Sequence, residues 1–122
     1  MSARRLLVCD DEADFRVLVR EVAETLGYEV SEVADSRECV TRTGDQAPDV
    51  IVLDIVMPHV DGIEIVQQLA ARRFPGRVIL VSGYNPHYAR AAEVLARGRG
   101  IVDIRVFAKP IPLAELRAAL SP

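Results

Sequence analysis

The chain is short of positive charge, and that limits what it can bind. Its 15 lysines and arginines face 18 aspartates and glutamates, for a formal net charge of −3, and no dense basic patch appears. No direct nucleic-acid footprint is expected, because phosphate backbones are gripped by clustered cations. Cysteine is scarce as well. Cys9 and Cys39 are the only 2; they form no CxxC pair, point to neither a disulfide scaffold nor a zinc site, and suit a reducing cytoplasm. No apolar run approaches the ~18 residues a bilayer span needs, and Arg4 and Arg5 before a short apolar stretch do not make a signal-peptide core. The expectation is a cytoplasmic protein with no membrane contact. Repeats, low-complexity tracts and linkers are also missing. The 122 residues therefore read as one domain, 1–122, long enough to bury about two-thirds of its unfolded surface.

What is present is alternation. Five short apolar runs (Leu6 to Cys9, Tyr28 to Val33, Val50 to Leu53, Val78 to Val81, Ile101 to Phe107) alternate with five helical patterns. The third and fourth runs are unbroken Val, Ile and Leu, the composition of parallel strands covered on both faces. Between the runs, apolar residues recur at helical spacing: Phe15, Leu18, Val22 and Leu26, then Ile63, Val66, Leu69 and Ala70. Tyr88, Ala91, Ala92 and Leu95 mark a fourth helix, and Leu113, Leu116 and Leu120 a short fifth. Gly27 and Pro75-Gly76 read as stop signals. The segment from Asp35 to Gly44 is the most polar helix. Strands alternating with helices predict an α/β fold, a doubly wound parallel sheet with right-handed crossovers.

Sheets of this kind place their chemistry at the carboxyl ends of the strands. Those ends carry Asp10-Asp11-Glu12, Asp54, Ser82-Gly83 and Lys109-Pro110. Asp54 is the conspicuous one, a carboxylate at the end of "VIVL", where an unpaired charge is expensive. Carboxylates brought together resist ionisation unless a cation offsets their repulsion. A few hard oxygen ligands suit Mg²⁺, which often shares its shell with phosphate oxygens. A lysine and a hydroxyl beside such a site supply the charge neutralisation and the donor that a phosphoryl group needs.

The acidic pair Asp10-Asp11, "LDIVMPHVDG" from Leu53 to Gly62, "VSG" ending at Gly83 and "AKPI" around Lys109 occur in this order, each at a strand end. Together they resemble the receiver domains of two-component response regulators over essentially the whole chain. The resemblance implies a flavodoxin-like (βα)5 domain with strand order 2-1-3-4-5. It implies that Asp54 accepts a phosphoryl group from a sensor histidine kinase or a histidine phosphotransfer protein. Asp11 and Asp54 would ligate Mg²⁺ directly, Asp10 through a water, and the Val56 backbone carbonyl would complete the protein ligands. Ser82 would bind the transferred group, Lys109 would pair with its oxygens, and the bond before Pro110 would be cis. Such a domain is a signalling module and no enzyme beyond its own phosphorylation and dephosphorylation. With Pro122 directly after the fifth helix, output is expected through docking to an effector, homodimerisation, relay, or a domain outside this chain. The Phe15, Leu18 and Ile111 face is the expected docking surface for a kinase or phosphotransfer helix.

The sequence departs from the receiver pattern in three places. Val106 stands where receivers carry an inward-turning aromatic, and Phe107 next door should face the opposite side of the sheet; coupling would then pass through Tyr84 or Tyr88. The stretch from Ser82 to Lys109 is longer than usual, a trait that resembles receivers attached to cyclic-di-GMP phosphodiesterase domains. Val56 and Tyr84, two residues beyond Asp54 and Ser82, are bulky enough to hinder an attacking water, which predicts a long-lived phosphoaspartate. Other residues have plainer readings. Asp61-Gly62 is a turn and helix N-cap, Glu12 either a member of the acidic site or, the more common case, a solvated first-turn carboxylate, "RGRG" (97–100) a C-cap, and His59 and His87 surface residues. Cys9 reads as a small core residue. Two rival functions are a Mg²⁺-dependent phosphatase of the haloacid dehalogenase type and a receiver-like binding module that works without phosphorylation. The first wants a D-x-D pair after the first strand, which the adjacent Asp10 and Asp11 do not supply.

Overall fold

The computed structural model describes residues 3–56, 61–83 and 86–122, with the Pro86 side chain left out. Elements alternate strictly: β1 (Arg4–Cys9), α1 (Ala13–Thr25), β2 (Tyr28–Val33), α2 (Ser36–Gln46), β3 (Val50–Asp54), α3 (Gly62–Ala71), β4 (Arg77–Ser82), α4 (Pro86–Gly98), β5 (Ile104–Ala108) and α5 (Leu113–Leu120). The strands pair in parallel, in the order β2-β1-β3-β4-β5. This is the expected doubly wound α/β sheet.

The unbroken apolar runs follow from the two-residue period of a strand with both faces covered. Leu7, Cys9, Ile51, Leu53, Val78 and Leu80 point to one face, beneath Cys39 of α2, Ile65 and Leu69 of α3, and Ala92 of α4. Leu6, Val8, Val50, Val52, Ile79 and Val81 point to the other, beneath Val19 of α1 and Leu116 of α5. The same alternation settles the pair near the chain's end. Val106 packs against the first cluster and Phe107 against the second, so Phe107 does not take over the position of Val106.

Three local details differ from the pattern reading. The run from Ile101 is not all strand, because β5 begins at Ile104. Gly100 has φ +102°, and the Gly100 and Ile101 amides donate to Arg97 O and Ala96 O, a Schellman closure of α4 that buries Ile101 as its apolar cap. The "RGRG" segment is thus the C-cap it was read as, with Gly100 in the left-handed position. On α1 the sheet covers Val19, Val22 and Ala23, while Leu18 is exposed. On α5, Leu116, Ala119 and Leu120 are buried and Leu113 is 56% exposed. Among the described residues, no helix is long and apolar enough to cross a membrane.

Candidate functional site

Parallel-ladder hydrogen bonds carry three chemical residues just past the strands that bear them. The Asp10 amide donates to Val33 O at 3.0 Å, the Ile55 amide after Asp54 to Val81 O at 3.0 Å, and the Lys109 amide to Ser82 O at 2.9 Å. Register places Asp54 beside Val81 and Ser82 beside Ala108. The site therefore rests on the sheet, which holds geometry better than loops do. The Lys109-Pro110 peptide bond is cis, as the receiver resemblance implied.

Lys109 is the hub. Its Nζ lies 2.7 Å from Asp10 Oδ2, 2.8 Å from Glu12 Oε1 and 3.3 Å from Asp54 Oδ2, and it sits 4.5 Å from the centre of the Phe15 ring. The contact with Phe15 gives the cation a π face as well as three carboxylates. Asp10 is fully buried and Asp54 nearly so. Asp10 Oδ1 accepts the Glu12 amide at 2.8 Å, and Arg16 Nη1 donates to the Asp10 carbonyl at 2.7 Å. Asp54 Oδ1 accepts the Val56 amide at 3.0 Å, while the Val56 side chain is 45% exposed beside it.

One ammonium cannot offset two buried carboxylates. Burial pushes Asp54 up from an ordinary 3.8 to about 6, and Asp10 adds to the rise. The Val56 amide and Lys109 pull against it. Burial likewise raises Asp10 despite its contact with Lys109. Burial alone would lower Lys109, but its contacts with Asp10 and Glu12 and the charges of Asp10 and Asp54 hold it well above the usual lysine range. The carboxylates stay high because desolvation exceeds what a single cation returns.

The residues present fit a divalent metal. Among the described residues, Asp10 Oδ2 is buried without a well-aligned hydrogen bond, although the Lys109 ammonium lies 2.7 Å from it. Ligand oxygens of Asp10, Glu12 and Asp54 all lie within 4.8 Å of one another. Hard oxygens in excess negative charge are the donor set Mg²⁺ takes.

Of the residues singled out in the sequence, Asp10, Asp54 and Lys109 come together, and Ser82 is buried at the end of the neighbouring strand. Asp11 is exposed and outside the 4.8 Å group. Glu12, more readily read as a solvated first-turn carboxylate, is paired with Lys109 while remaining exposed. The signal for it was weak, because a third acidic residue after an acidic pair is equally at home on a solvated helix start. Ile111 does not belong to an exposed docking face; it is buried against the α1 and α5 layer. Asp61 is the N-cap of α3, accepting the Ile63 amide at 2.8 Å and also the Tyr88 hydroxyl. Gly62 follows it because an added Cβ would meet Ile55 O at 2.4 Å. His87 is exposed. His59, Tyr84 and the Met57-Pro58 part of the motif lie outside the described residues.

A doubly wound five-stranded domain with acidic residues, a serine and a lysine at its strand ends is a receiver-type signalling domain. The comparisons agree. The family described as the response regulator receiver domain matches residues 6–121. The chain is 27% identical over 120 residues to sporulation initiation phosphotransferase F of Bacillus subtilis, covering 98% of this chain and 93% of that protein. It is 36% identical to the transcriptional regulatory protein PrrA of Mycobacterium leprae over 97% of this chain and 48% of that one. A response regulator from Colwellia psychrerythraea superposes with a TM-score of 0.80 at 32% identity, covering 98% and 94% of the two chains. The chain spans 33% to 55% of the length of several other curated relatives it matches. This chain belongs to the response regulator receiver domain family.

Proposed function

We propose that Asp54 is the phosphoacceptor of this receiver domain and that residues 1–122 form one receiver domain. The observation that carries the reading is a buried carboxylate at the end of β3, held 3.3 Å from a lysine that serves three carboxylates at once. Without metal, burial raises Asp54; a bound divalent cation would offset that rise and keep the carboxylate ionised for attack. An Asp54 oxygen attacks phosphorus of a phosphohistidine, the P–N bond breaks, and the departing imidazole takes a proton. Lys109 then trades carboxylate partners for phosphoryl oxygens, and the Ser82 hydroxyl donates to another of them. Asp10, Asp11, Asp54 and the Val56 carbonyl would hold Mg²⁺, with Glu12 within reach of the same cluster. The bound ion supplies charge neutralisation for carboxylates and phosphoryl group together.

The donor in this reading is a sensor histidine kinase or histidine phosphotransfer protein in a bacterial cytoplasm. Phe15 and the exposed Leu18 of α1 remain its docking surface, without Ile111. Output follows from docking to an effector or from homodimerisation. Tyr88, packed on the α3 and α4 layer and bonded to Asp61, the N-cap of α3, is the coupling residue in place of the missing aromatic. The exposed valine beside Asp54 supports a slowly hydrolysed phosphoaspartate. Val56→Asn should shorten its lifetime, and an unchanged rapid loss of label in that variant would count against this role.

Incubation with Mg²⁺ and a small phosphodonor, followed by intact mass, tests the central assignment. Wild type gains one phosphoryl group, and Asp54→Asn and chelator-treated protein gain none. A folded, Mg²⁺-supplied wild type that gains nothing would instead indicate a receiver-like module working without phosphorylation.

A further inference from the structure

The sequence separates Cys9 and Cys39 by 30 positions, yet the fold sets their Sγ atoms 2.6 Å apart. Both are fully buried on the same face of the sheet. Cys9 is the last residue of β1, directly before Asp10 of the acidic site, and Cys39 belongs to α2. The two sulfurs are in direct contact, the first requirement for a disulfide between them. We propose that Cys9 and Cys39 are a reversible modification site, forming an intrachain disulfide with a small-molecule disulfide oxidant and so stapling α2 to the strand that carries Asp10.

Access to the pair comes through α2. It is the most polar helix and buries only Ser36, Cys39 and Thr43, which puts it at the low end of local stability. Lifting α2 uncovers both sulfurs together, because Cys9 lies beneath that layer. Both sulfurs are fully buried, so the closed state reacts slowly and opening sets the rate.

The exchange balances. Cys39 loses its proton to water, and its thiolate attacks one sulfur of oxidised glutathione, breaking that S–S bond and releasing one glutathione thiolate. Cys9 then loses its proton, attacks the Cys39 sulfur of the mixed disulfide and expels the second glutathione. Two protein thiols are oxidised, one glutathione disulfide is reduced, and the two protons end on the released thiols. The product requires nothing of the phosphoryl chemistry, so it stands or falls separately from the assignment of Asp54.

The test equilibrates the folded wild-type chain in glutathione buffers of graded potential, quenches with acid, and reads intact mass and peptide maps. The expected result is a species lighter by two hydrogens, with Cys9 and Cys39 peptides linked and the mass restored by dithiothreitol. Amide exchange in α2 should slow in the oxidised form, because the staple blocks the opening that admitted the oxidant. The proposal is overturned if folded protein keeps both thiols in buffers that oxidise the urea-unfolded chain. It is also overturned if the only products are glutathione adducts or intermolecular dimers, or if α2 exchange is the same in both redox forms.

Discussion

The two edges of the sheet each contain a cation held mostly out of solvent, and they treat it in opposite ways. At the amino edge, Arg77 pairs with Asp103 at 2.9 Å and donates to the Ala119 and Ser121 carbonyls at 2.8 and 2.6 Å. Its charge meets one carboxylate, and its remaining donors close the end of α5. Around it the chain turns tightly, since a Cβ on Gly76 would meet Asp49 O at 2.3 Å. At the carboxyl edge, Lys109 faces three carboxylates, two of them buried, and an Asp10 oxygen is left without a well-aligned donor among the described residues. One edge is electrically closed and serves stability. The other carries excess negative charge and is stable only as a place for further cations and phosphoryl oxygens.

The sharpest way to break this contrast is at the closed edge. Arg77→Ala leaves Asp103 with only the longer contact to Arg105 at 3.7 Å and removes the donor to two helix-end carbonyls, and should cost about 1–3 kcal/mol in urea unfolding. The fraction that stays folded should still be phosphorylated, because no site residue is touched. The opposite sign is expected at the open edge. In metal-free protein the folded pKa of Asp54, about 6, lies above its ordinary 3.8. The folded state thus binds this proton more tightly than the unfolded chain. Stability from this group is complete below about pH 4 and is lost as pH rises through 6. Asp54→Asn should therefore stabilise metal-free protein by about 1–3 kcal/mol at pH 7.5, and flatten the loss between pH 4 and 7 seen by urea titration of wild type. The smallest effect belongs to Glu12, whose side chain is 64% exposed. Glu12→Gln should change stability by less than about 1 kcal/mol, while weakening Mg²⁺ binding measured by calorimetry.

Much of this contrast was legible in the residues. The continuous "VIVL" and "VILV" runs demanded two covered faces, and polar residues at their ends had nowhere to go but the edge of a parallel sheet. Asp54 and Ser82 followed from those runs, Asp10 and Lys109 from the ends of the first and fifth, and their roles from the receiver resemblance. What the sequence left hidden were choices among equivalent residues. Leu18 and Val19 both suit the stripe of α1, and only the docking angle of the helix selects Val19. Ile101 reads as strand because apolar character does not distinguish a ladder position from the apolar cap after a Schellman glycine. Glu12 is as exposed as a helix start suggests, and only its pairing with Lys109 was hidden, while Ile111, just before α5, is buried because it joins the α1 and α5 layer. The approach of Cys9 to Cys39 has no local signature, since it arises from packing α2 over β1.

Adding a divalent cation tests the electrostatic account most directly. Urea unfolding of wild type at pH 7.5, in chelator and then with saturating Mg²⁺, should show a gain of about 1–3 kcal/mol with the metal. Arg77→Ala should show the same gain from a lower baseline. Identical midpoints with and without Mg²⁺ would mean that the carboxyl edge carries no charge imbalance for a metal to relieve, and would contradict the account.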